Sequence, residues 1–117
     1  MEMRIINLVI LLSVSVCSFA QNTPAVIGYG VKSCETYTQV YDGWDKGEEA
    51  HIAEYLRYRD WLSGMITGLS LATDMDVLKG SDIKGAMRRI ELICDERPDD
   101  DFFTASMDLI RTLSSLQ

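Results

Sequence analysis

The stretch ICDERPDDDFF, residues 93 to 103, sets five carboxylates (Asp95, Glu96, Asp99, Asp100 and Asp101) within seven positions beside Cys94. Such residues could hold a metal, pair for acid–base work, or mark a helix boundary. A calcium loop alternates its oxygen ligands and needs a glycine at its sharp turn, whereas here Pro98 interrupts the run and no glycine falls within it. Zinc asks for cysteine and histidine sets, and His51 is the only histidine. A serine–histidine–acid triad would have to draw on His51 from the polar start of a helix. Gly64 and Gly68 lie inside a helical pattern rather than in a phosphate-binding loop. The chain therefore reads as a non-enzyme, with no metal and no cofactor implied.

The cysteines do point to chemistry. MEMRIINLVILLSVSVCSFAQ opens with Arg4, continues through an apolar run from Ile5 to Val16, and offers small residues at Ser18 and Ala20. This is the pattern of a secretory signal peptide, residues 1–20, cut after Ala20. The apolar run is too short to span a bilayer, and the branched Val16 ahead of Cys17 argues against lipidation. Export to the periplasm would leave Cys34 and Cys94, which have one possible pairing and an oxidising compartment to form it in. Such a disulfide closes a long loop and contributes about 4 kcal/mol on the chain-entropy model. Loss of Glu2 and Arg4 with the signal leaves 17 acids against 10 bases, a net charge of −7. That balance disfavours nucleic acid and anionic membrane surfaces as partners.

The elements that would position these groups are helical. Residues 21–32 carry Pro24, Gly28 and Gly30 and read as an extended leader to one domain, residues 33–117. Ser33 is placed to cap a short helix from Cys34 to about Tyr41, with Gly43 and Gly47 bracketing Trp44 in a turn. From Glu48 to about Ala72, apolar residues recur at steps of three and four, among them Leu62, Met65, Ile66 and Leu69. Gly64, Gly68 and Ala72 line one stripe of that helix, which predicts close approach of another helix, within the chain or, less commonly, across a dimer face. Trp44, Tyr55, Tyr58 and Trp61 could line a groove or fill a core. Thr73 to Gly80 reads as a loop. Ser81 is expected to cap a third helix that ends near Cys94, with Gly85 suggesting tight packing. Asp99 is expected to cap a last helix bearing Phe102, Phe103, Met107 and Ile110. The predicted fold is all-α: three main helices, a short N-terminal one and one disulfide. Asp99 to Asp101 would then sit where an incoming helix favours acids. Asp95 and Glu96 would follow the end of a helix, where its dipole disfavours them.

Two resemblances follow from these motifs. SCETYTQVYD, then SDIKGAMRRIELIC, then the charged DERPDDDF and an amphipathic helix resemble the HdeA/HdeB family of periplasmic acid-stress chaperones. The resemblance implies a small helical protein, alone or as a homodimer, that is inactive at neutral pH. In acid it would loosen and bind unfolded periplasmic clients through apolar faces: Trp61, Leu62, Met65, Ile66 and Leu69, or Phe102, Phe103, Met107 and Ile110. YLRYRDWLSGMITGLS in turn is similar to the aromatic and glycine-bearing helix of periplasmic immunity proteins that neutralise type VI secretion toxins. That resemblance implies one folded toxin as partner. Both imply a binding protein without membrane insertion.

Overall fold

The computed structural model describes residues 23–116. The expected signal peptide lies outside the described residues. Among these residues the fold has four α-helices: α1 (Cys34–Asp45), α2 (Glu49–Thr73), α3 (Ile83–Glu96) and α4 (Phe102–Ser114), preceded by a 3-10 turn at Gly28–Val31. The class is all-α, and a disulfide joins Cys34, at the start of α1, to Cys94, in the last turn of α3.

Ser33 caps α1, its hydroxyl accepting from the Thr36 N–H at 3.1 Å. The helix runs on to Asp45 rather than stopping near Tyr41. Gly43 lies within it because α2 begins close by: a Cβ on Gly43 would fall 1.7 Å from Nδ1 of His51. The turn comes later, at Gly47, whose φ of +76° suits glycine. α2 buries Tyr55, Tyr58, Leu62 and Ile66, the three-four-four spacing of one helical face.

The α2–α3 loop is more than a solvated link. Val77 and Leu78 are buried in the core. The Asp76 carboxylate accepts from the N–H groups of Leu78 and Gly80, at 3.0 and 2.8 Å, and so folds the loop inward.

Both downstream caps differ from expectation. Asp82, not Ser81, caps α3, accepting from the Gly85 N–H at 2.7 Å. That bond also accounts for Gly85, where a Cβ would lie 2.9 Å from the same carboxylate oxygen. Asp101, not Asp99, caps α4, accepting from the Thr104 N–H at 2.7 Å. Asp99 and Asp100 belong to the turn before it.

This turn has a backbone task. The N–H of Cys34 donates to the Asp100 carbonyl at 2.7 Å, and that of Glu35 to the Pro98 carbonyl at 3.2 Å. Two unsatisfied donors at the start of α1 are thereby met by the α3–α4 joint. The Phe102 N–H donates to the Lys32 carbonyl at 2.9 Å, and Ser33 bridges Asp101 in antiparallel fashion. Asp95 and Glu96 end α3 and are exposed. Arg97 pairs with Asp108 on α4. The acid-rich stretch is thus a four-way joint of helix ends.

The candidate binding groove

An aromatic cluster sits where the helices meet. Phe102, fully buried, touches Tyr37 at 4.6 Å, Tyr58 at 4.9 Å and Trp61 at 5.7 Å between ring centroids. The Tyr37 hydroxyl donates to the Met87 carbonyl, whereas the buried Tyr58 hydroxyl has no hydrogen-bond partner among the described residues. Burial pushes both phenols well above their ordinary range, so both remain neutral.

Beside this cluster an open, largely apolar groove of about 640 Å³ runs along α2. Its walls are Trp61, Gly64 and Met65 from α2, Phe103 from α4, and Val26 to Gly28 from the N-terminal segment, with Asp60 also lining it. Of the nine residues expected to bind a partner, Trp61, Met65 and Phe103 come together here. Leu62, Ile66, Phe102 and Ile110 point into the core, and Leu69 and Met107 are half-buried against it. Trp44 stacks on Tyr55 at 3.9 Å and takes no part in the groove.

The glycine stripe behaves differently from expectation. Among the described residues, and apart from the adjacent backbone of α2 itself, nothing lies within 4 Å of where a Cβ would stand on Gly64 or Gly68. The buried face of α2 is on its opposite side, so among the described residues no helix packs on the stripe. Leu71, further along, is 79% exposed.

Sequence reasoning missed Val26, Ile27 and Asp60. The run Ala25-Val26-Ile27 was a signal, but the neighbouring proline and glycines read as a leader. The 3-10 turn packs on both α2 and α4 instead.

A second, more polar cleft of about 480 Å³ lies between α1 and α3, lined by Tyr41, Trp44, Asp45, Lys84, Arg88, Glu91 and Leu92. Burial, then the nearby Asp95 and Asp42, hold the Glu91 carboxyl above its usual range, against the pull of Arg88. His51, hydrogen-bonded to Glu48, belongs to neither cavity. Among the described residues no group of three or more histidine, cysteine or acidic side chains is placed to hold a metal, and no helix is long and apolar enough to cross a membrane. The groove offers apolar surface and aromatic edges.

No family model, curated protein or solved structure matches this chain.

Proposed function

We propose that this chain is a non-enzymatic periplasmic binding protein, an acid-stress chaperone that holds unfolded clients at low pH. The observation that supports this most directly is the groove at Trp61, Met65 and Phe103, apolar and open to solvent. Contiguous exposed apolar surface marks interaction sites on small domains. Charge supplies the acid response. Carboxylate reference values lie near 4, so near pH 2 the 17 mature acids are neutral, while 10 bases, His51 and a new amino terminus leave about +12. Repulsion then loosens the domain and frees a second apolar set, Leu62, Ile66, Phe102 and Ile110. The Cys34–Cys94 bond keeps α1 tied to α3 throughout. The test is suppression of client aggregation at pH 2 to 3. Absence of suppression at equimolar or higher chaperone rejects this reading.

One observation favours a second reading. The groove is already open in the folded domain and needs no unfolding to receive a partner. That suits an immunity protein that binds one folded toxin at neutral pH. The acidic surface would hasten association with a basic toxin and make it salt-sensitive. A single partner retained at pH 7 with nanomolar affinity decides for it; a broad, acid-only client set decides against it.

A further inference from the structure

The N-terminal segment behaves as a ligand of its own helices. α2 and α4 meet through the side chains of Phe102, Tyr58 and Trp61, and the 3-10 turn packs on both helices. Tyr29 is the anchor: its ring meets Tyr58 edge-on at 4.9 Å, and its hydroxyl donates to the Glu54 carboxylate at 3.2 Å. Gly30 follows, buried so tightly on the indole that a Cβ would stand 2.2 Å from Cζ2 of Trp61. The Trp61 indole N–H donates to the Ile27 carbonyl at 3.0 Å. The attachment is one-sided, however. Among the described residues, no backbone N–H of residues 23–31 donates to a helix. Ile27 and Val31 stay exposed, and among the described residues the buried Tyr58 hydroxyl has no hydrogen-bond partner. The segment covers apolar area without satisfying that polar group.

We propose that residues 24–31 are an internal pseudo-ligand. The trough between α2 and α4, floored by Tyr58, Trp61 and Phe102, is the protein's binding site for short apolar segments that carry an aromatic side chain beside a small residue. The chain's own Tyr29-Gly30 pair fills that site until a partner displaces it. The occupant's chemistry is written in the strap: an aromatic ring for the Tyr58–Phe102 cluster, a residue without a side chain against Trp61, and a carbonyl for the indole N–H. Displacement would join the trough to the open groove beside it, since Val26 to Gly28 form one wall of that groove. This inference rests on the reading of the chain as a binding protein and names the kind of segment it binds.

The experiment uses a labelled peptide of residues 24–32, PAVIGYGVK, and its Tyr29→Ala counterpart, titrated at pH 7 by fluorescence anisotropy into the mature chain. Two variants open the strap: Gly30→Val, which the indole cannot accommodate, and Tyr29→Ala, which removes the anchor. Circular dichroism and an intact cystine establish that each is folded. The expected result is at least tenfold tighter peptide binding by the strap variants than by wild type, lost when the peptide lacks its tyrosine. A folded variant that binds no better than wild type overturns the inference. So does unfolding of both variants at pH 7, because a displaceable strap cannot be required for the fold. Acid aggregation assays stay separate: peptide binding without client protection leaves the strap standing and removes the chaperone reading, and the reverse removes the strap alone.

Discussion

The Tyr37 hydroxyl donates a 2.7 Å hydrogen bond to the Met87 carbonyl, from α1 into the middle of α3. Both residues are fully buried, and the cystine joins the same two helices at their ends. The α1–α3 pair is therefore held by one covalent and one neutral polar link, neither of which titrates in acid. Tyr37→Phe is expected to lower stability by about 1 kcal/mol, read from urea unfolding at pH 7. Because burial raises the Tyr37 phenol, wild type should also lose stability as pH rises past the ordinary tyrosine value near 10. An unchanged urea midpoint in the variant would mean that the bond contributes nothing net.

Gly43 and His51 form a second such pair, where α1 and α2 begin to diverge. Gly43→Ala should cost about 1–3 kcal/mol, in the range of overpacking at a filled site, because the imidazole occupies the space of the new methyl. His51→Ala should recover part of that loss in the double variant, since the His51 Cβ, which alanine keeps, would itself lie 2.7 Å from the new methyl. A double-mutant cycle by urea unfolding measures the coupling; simple additivity would place the origin of the cost elsewhere.

The acid-rich joint can be tested residue by residue. Asp101→Ala should cost about 1 kcal/mol through loss of the α4 cap, and Asp101→Asn much less. Asp99→Asn should have almost no effect at pH 7, since its exposed side chain makes no hydrogen bond among the described residues. Equal losses at positions 99 and 101 would contradict the assignment of Asp101 as the cap.

These positions also show what was legible in the sequence. Helix α2 was readable because its apolar period is long and unbroken, and Cys34 with Cys94 had one pairing to make. The caps were displaced because several acids stood in a row and propensity alone does not rank them. The choice fell to long-range constraints: Phe102 must enter the core, and the bridge from Ser33 holds Asp101 extended. The strap was unreadable for a similar reason. Glycine and proline mark a loop locally, and only Tyr58 and Trp61, some thirty residues downstream, give Tyr29 and Gly30 a place to pack. Of the groove's lining, Trp61 and Met65 follow the apolar period of α2 and Phe103 that of α4, whereas Val26 to Gly28 come from that strap.

The open glycine stripe allows a simple gain. Gly68 sits mid-helix at ordinary helical geometry with free space around it. Gly68→Ala should stabilise the chain by about 0.5–1 kcal/mol, through helix propensity and a less entropic unfolded state. A higher urea midpoint at low protein concentration is the expected outcome. A lower midpoint would show that another surface normally covers the stripe.

The last prediction concerns where acid acts. Glu91 faces Asp42, Asp45 and Tyr41 on α1, with Asp95 and Arg88 on its own helix. Its carboxyl is raised above the ordinary value of 4.5, so ionisation works against the fold. For a raised acid the native state binds more protons than the unfolded one between the two values, and stability falls as pH climbs through that window. The penalty is complete above the folded value and absent below the unfolded one. Glu91→Gln should therefore be more stable than wild type at pH 7, by less than about 1 kcal/mol because solvent screens the site. The advantage should vanish by pH 3. Urea unfolding of both proteins at the two pH values decides it, and a destabilised variant at pH 7 would mean that attraction to Arg88 prevails. If the advantage at pH 7 is found, acidification tightens the α1–α3 contact at Glu91, where the cystine and the Tyr37–Met87 bond already hold the pair. Loosening in acid of the kind proposed above would then be expected on the other side of the domain, where α2, α4 and the N-terminal segment line the groove.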